Sequence, residues 1–124
     1  MGIRIFNTTD HPADNKKINR LVKGVLKNEK KTVNELNIII VDKDFIRKLN
    51  RKFLGRNRST NVLAFDLGEV SEIYVSKDAV AEEEELYYYV LHGLLHIIGY
   101  EHKNKKGEQI MKKKCLNYLQ EITG

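Results

Sequence analysis

The chain has 124 residues, of which 41% are hydrophobic and 31% charged, with one proline and no tryptophan. That balance suits one domain with one hydrophobic core and excludes wholesale disorder and proline-rich linkers. The net charge of +5 tilts toward polyanionic partners, and the single cysteine, Cys115, excludes an intrachain disulfide and suits a reducing compartment. Residues 3–6 read as a first short strand. Asp14 then opens a helical stretch in which Ile18, Leu21, Val22, Val25 and Leu26 recur at helical spacing, with the lysines mostly on the opposite side. Residues 33–41 are rich in β-branched side chains and contain Ile38-Ile39-Ile40, which predicts a buried central strand.

Asp44 is the expected N-cap of a second helix carrying Phe45, Ile46, Leu49 and Phe53. Residues 54–60 follow as a polar, basic loop containing Gly55. Two more strands are expected at residues 62–65 and 73–75, separated by Gly68. A third helix spans about residues 82–98. Its first turn is Glu82-Glu83-Glu84-Glu85, acidic residues that favour a helix N-terminus and suggest a solvated helix start, not a metal site. Gly99 ends it. A fourth helix covers about residues 106–122, with Met111, Cys115, Leu119 and Ile122 on one face. The order β-α-β-α-β-β-α-α predicts a single α/β (α+β) domain over residues 1–124, a small mixed sheet with packed helices.

The segment His92-Gly93-Leu94-Leu95-His96-Ile97-Ile98-Gly99-Tyr100-Glu101-His102 carries the chemistry. Residues four apart lie only about 40° apart around a helix, so the imidazoles of His92 and His96 can converge on one ion. Leu86, Val90, Leu91, Leu94, Leu95, Ile97 and Ile98 cover most of the remaining circumference, which implies a buried central helix with the histidines as its polar stripe. Buried imidazoles need partners, and a metal would supply them. A helix continued past Ile98 would carry His102 to the wrong side, about 240° from His96. A glycine at position 99 can turn the chain back and let His102 approach the same ion. Three protein ligands leave a fourth tetrahedral position open, the catalytic pattern for zinc, which is the expected metal. Three histidines also suit nickel, cobalt or copper. His11 reads as a loop residue and Cys115 as a core residue. Tyr89 and Glu85 lie on the histidine side and are candidates for supporting the ligands.

This spacing is close to the zinc-protease motif HExxHxxGxxH, but Gly93 stands where that motif needs its glutamate base. Ordinary peptidase chemistry is therefore not expected. The chain resembles instead the YbeY-type family of single-domain bacterial endoribonucleases, whose signature reads approximately HGxLHLxGYDH. A second block, Leu49-Asn50 followed by Thr60-Asn61-Val62-Leu63-Ala64-Phe65, is similar to that family's Leu-Asn and Thr-Asp/Asn-Val-Leu-Ser-Phe segments. The resemblance implies a zincin-like metal helix with His92, His96 and His102 as the metal ligands. It also implies single-strand-specific RNA cleavage in ribosomal RNA maturation and ribosome quality control. Ribosomal RNA and ribosomal particles are the implied partners, with neither DNA nor a membrane.

Leu54 stands where family members commonly carry an arginine implicated in activity, and Arg56 and Arg58 lie close by. Either could neutralise charge developing on the phosphorane. Lys52, Lys103, Lys105 and Lys106 could guide the RNA backbone. Glu101 and the RNA 2′-hydroxyl are alternative proton acceptors, and the sequence does not choose between them. Two other readings stand beside this one: a ribosome-associated RNA-binding protein with a mainly structural metal, and a metal-dependent hydrolase of another substrate. Residues 1–10 lack the basic-then-apolar pattern of a secretory signal, and the longest apolar stretch, residues 86–100, is too short to span a bilayer. The expected location is cytoplasmic.

Overall fold

The computed structural model describes residues 2–101 and 103–123, without the side chains of residues 122 and 123. The expectations placed on His102 and Ile122 lie outside the described residues. The elements run β1 (Gly2–Asn7), α1 (Asn15–Glu29), β2 (Glu35–Val41), α2 (Lys43–Leu54), β3 (Val62–Asp66), β4 (Val70–Ser76), α3 (Glu83–Ile97) and α4 (Lys105–Thr123). A short 3₁₀ turn, Lys77–Ala79, sits between β4 and α3. The predicted order therefore holds.

The four strands form one mixed sheet in the order β1-β2-β4-β3. β1, β2 and β4 are parallel, so the connection from β1 to β2 through α1 crosses over, whereas β3, reached through α2, runs antiparallel to them and forms a hairpin with β4. Side chains alternate across this sheet. Leu36, Ile38, Ile40, Ile73 and Val75 join the main core with α1, α3 and α4. Val41 and Leu63 join a smaller core under Ile46 of α2, with Ile39 and Tyr74 packed against it. The Ile38-Ile39-Ile40 run feeds both faces, which is why it shows no polar alternation.

α1 buries the five residues that its spacing predicts, and the carboxylate of Asp14 accepts from Lys17 N at 3.1 Å. α2 departs from expectation. Its N-cap is Asp42, which accepts from Phe45 N at 2.8 Å, and Asp44 lies in the first turn. Either aspartate has capping chemistry, but Asp42 stands where the strand ends and the backbone is still extended. Phe45 and Phe53 remain about half exposed because α2 covers a narrow strip of the sheet. They pack ring to ring instead, Phe53 on Phe65 and Phe45 on Tyr74.

At the start of α3 the Glu85 carboxylate accepts from Ala81 N and Glu82 N, both at 3.0 Å, so part of the glutamate run caps the helix. On α4, Met111, Cys115 and Tyr118 are buried, and burial pushes the Cys115 thiol up to about 12, as befits an inert core residue. Among the described residues no helix is long and apolar enough to cross a membrane.

Candidate functional site

α3 packs against both strands of the β3–β4 hairpin. It approaches the sheet closely at Gly93, where a Cβ atom would lie 2.7 Å from Cγ2 of Ile73. The position that a zinc protease gives to glutamate is therefore buried against the sheet, with little room for a side chain. This contact sets α3 down on β4 and leaves its histidine stripe beside β3.

That stripe is less buried than the sequence suggests. His92 is half-buried and His96 exposed, while Leu86, Val90, Leu91, Leu94 and Leu95 fill the core. The correction has a simple cause. The two imidazoles face an open cleft of about 540 Å³ between α3, β3 and the loop after α2, and the core lies on the other side of the helix. His92, Gly93 and His96 form one wall. Asn50, Leu54, Arg56, Arg58 and Thr60 are among the residues of the opposite wall. The structure thus brings both candidate arginines into the same cleft as the two histidines. Leu54, at the position where an arginine was expected, also lines it. Glu101 is not among the residues lining the cleft. It is exposed, and its carboxylate lies 3.6 Å from Lys103 Nζ.

The turn after α3 is built around Gly99, with φ 116°. Gly99 N–H donates to the His96 carbonyl at 3.2 Å and Tyr100 N–H to the Leu95 carbonyl at 3.0 Å, the paired bonds of a Schellman stop. The reversal delivers the Tyr100 carbonyl to His96, whose Nδ1 lies 3.2 Å from it. A carbonyl can only accept, so Nδ1 is the donor in this contact, and in the neutral imidazole Nε2 is then the nitrogen with the lone pair. This is the arrangement that orients a metal-ligating imidazole and fixes its tautomer. Among the described residues no group of three or more metal-ligating side chains forms, and the third expected ligand, His102, lies outside them. The two imidazoles on one stripe, one of them in the ligating tautomer, fit a borderline cation such as zinc.

The basic loop is held from below. Gly55, at φ 68°, ends α2, and Arg56 N–H donates to the Asn50 carbonyl at 3.2 Å. The Asn50 side chain, 2% exposed, donates from Nδ2 to the Arg58 carbonyl at 3.0 Å. Its Oδ1 is buried without a hydrogen-bond partner among the described residues. Farther along, Asn61 Nδ2 donates to Tyr89 Oη at 3.1 Å, tying the loop to α3. Tyr89 therefore supports the cleft through its loop. Sequence reasoning missed the clamp by Asn50, although the Leu49-Asn50 block had marked the residue.

Fold and cleft together define a class: a small mixed α/β protein that brings histidines of a helix and arginines of a loop to one cleft. The chain belongs to the YbeY endoribonuclease family, since the model of that family, described as Endoribonuclease YbeY, matches residues 4–123. The Endoribonuclease YbeY of Salinibacter ruber is 30% identical, over 91% of this chain and 88% of its own. That of Petrotoga mobilis is 36% identical, over 86% of this chain and 84% of its own. A solution structure of a Thermotoga maritima protein superposes with a TM-score of 0.69 at 31% identity, covering 97% of this chain and 88% of that one.

Proposed function

We propose that residues 1–124 form a single domain that cleaves single-stranded RNA in the cleft between α3 and the 55–61 loop, using one zinc ion held by His92, His96 and His102. Endoribonuclease activity and a role in ribosomal RNA maturation come with family membership, as does dependence on a metal. The observation that carries the proposal is the convergence on one cleft of two imidazoles and two arginines, with His96 locked by the Tyr100 carbonyl. When bound, the ion supplies Lewis acidity and activates water near neutral pH.

The chain's own residues do the rest. Nε2 of His96 presents its lone pair because Nδ1 is engaged. Arg56 and Arg58 face the scissile phosphate, and one of them stabilises the charge that develops on its oxygens. The Asn50 clamp holds these arginines at the cleft. The proton leaving the nucleophile would go to the Glu101 carboxylate by way of solvent, because Glu101 is exposed and does not line the cleft. Ribosomal particles, encountered in the cytoplasm, are the proposed setting.

The test is metal content together with cleavage of a structured RNA with single-stranded segments, for the wild type and His96→Ala. The wild type is expected to carry one zinc per chain and to cleave. His96→Ala is expected to lose both while remaining folded, because an exposed side chain costs little stability. A wild type that binds no metal would overturn the site. Stoichiometric metal with no RNA cleavage would leave a structural metal in an RNA-binding protein.

A further inference from the structure

Glu29, the last residue of α1, lies far from the turn after α3 in sequence but is bonded to it in structure. Its side chain is only 8% exposed, and both carboxylate oxygens are engaged. Tyr100 Oη donates to Oε1 at 2.5 Å across 71 residues of chain. Tyr118 Oη and Lys114 Nζ, both from α4, donate to Oε2, the lysine at 3.0 Å. Asn28 Nδ2 donates in turn to Tyr118 Oη at 2.7 Å. A carboxylate this buried is costly unless several donors satisfy it, and packed apolar residues would often be at least as stable. What the arrangement adds is direction, because it fixes one side chain from α1 and two from α4 around a single turn.

Tyr100 is the residue so fixed. Its N–H donates to Leu95 at 3.0 Å, its carbonyl faces His96 Nδ1 at 3.2 Å, and its hydroxyl is held by Glu29 at 2.5 Å. Lys114 Nζ also lies 5.1 Å from the centre of its ring. The carbonyl that selects the His96 tautomer therefore belongs to a residue whose other end is anchored in the core.

We propose that Glu29 is a positioning residue for the metal site, acting through Tyr100 to hold the carbonyl that orients His96. The inference rests on the metal reading given above. Removing the Glu29–Tyr100 bond leaves the Tyr100 side chain held by packing and by Lys114 alone and lets its carbonyl drift from Nδ1. Loss of a hydrogen-bond partner behind a ligating histidine typically costs about 10- to 100-fold in metal affinity, and a partner one link further out belongs at the low end.

The experiment compares zinc affinity, by competition with a chromophoric chelator, for the wild type, Glu29→Gln, Tyr100→Phe and the double variant. Each single variant is expected to bind zinc about tenfold more weakly. The double variant is expected to be little worse than either, because both break the same link. Val25→Ala, a core truncation on the same helix, is expected to lower Tm and leave zinc affinity unchanged. In the metal-free protein, ¹⁵N NMR reads the Nδ1-protonated tautomer of His96, whose population is expected to fall in both single variants. Variants that lower Tm but keep wild-type zinc affinity and tautomer would overturn the proposal. A wild type that binds no zinc would overturn the metal reading itself, and the tautomer would still decide whether Glu29 reaches His96. Tyr100→Phe removes one hydroxyl only, so it decides the matter if Glu29→Gln does not fold.

Discussion

The two walls of the cleft are built in opposite ways. On one side, the turn after α3 is tied down at every level: a Schellman stop at Gly99, a carbonyl bond to His96, and a tyrosine anchored on a buried carboxylate. On the other, residues 55–59 are exposed, and the fixed points are backbone bonds at the end of α2, one buried amide, Asn50, a Ser59 hydroxyl bond to the Lys43 carbonyl and the Asn61–Tyr89 contact. The difference matches what each wall handles. A metal ion tolerates little error in ligand direction, so its wall must be pre-organised. An RNA strand arrives in many conformations, and an arginine on a loop can follow its phosphate. Damage to the two walls should therefore produce different phenotypes.

The largest expected effect tests the loop wall. Arg56→Ala and Arg58→Ala are measured for kcat, KM and zinc affinity. The arginine that stabilises the developing charge is expected to lose about 10²- to 10³-fold in kcat, the usual cost of removing one such group. The other is expected to raise KM several-fold by weakening a phosphate contact. Neither is expected to change zinc affinity, because neither touches the turn after α3. An arginine variant that loses zinc would show that the walls are not independent.

The pinned wall should reveal itself in acid. Burial on its own raises the pKa of Glu29, but the hydrogen bonds from Tyr100, Tyr118 and Lys114 outweigh it and bring the pKa from 4.5 to about 2. A carboxyl whose pKa is depressed in the folded state contributes stability that is fully present above its unfolded pKa. That contribution is lost as pH falls from about 4.5 toward 2. Full expression of the difference is worth about 3 kcal/mol. Urea unfolding of the wild type and Glu29→Gln in the presence of a chelator, from pH 6 downward, is the measurement. The stability gap is expected to be widest above pH 5 and to close as the pH approaches 2. A gap independent of pH would mean that Glu29 contributes packing and not charge.

Much of this was legible in the sequence because it is local. The five apolar positions of α1, the Ile38–Ile40 run, the two imidazoles at helical spacing and the glycine that stops α3 are each decided within a few residues. The N-cap of α2 lies two positions before the expected Asp44 because Asp42 and Asp44 offer the same chemistry, and only the end of β2 chooses between them. Helical spacing shows that the histidine stripe is a distinct face but not what it faces, so its exposure to the cleft is not legible in the sequence. The partners of His96 and Arg58 were illegible for a stronger reason. One is a backbone carbonyl that any residue could provide. The anchor behind it, Glu29, is 71 residues away and becomes a neighbour of Tyr100 only when α1 and α3 pack on the same face of the sheet.

The finest test separates the loop's clamp from its charge. Asn50→Ala removes the donor to the Arg58 carbonyl, and it also removes an acceptor, Oδ1, that has no partner among the described residues. The second loss offsets part of the first. The net cost is expected to be about 1 kcal/mol, read by urea unfolding. Asn50→Asp is expected to cost more, about 2 kcal/mol or above, because it turns an acceptor toward the Arg58 carbonyl and buries a charge. In both variants KM for RNA is expected to rise several-fold as the arginines lose their seat, while zinc affinity stays at the wild-type value. If Asn50→Asp proves no worse than Asn50→Ala, the bond to Arg58 is not what holds the loop, and the fixed points of that wall must be sought at the Asn61–Tyr89 contact.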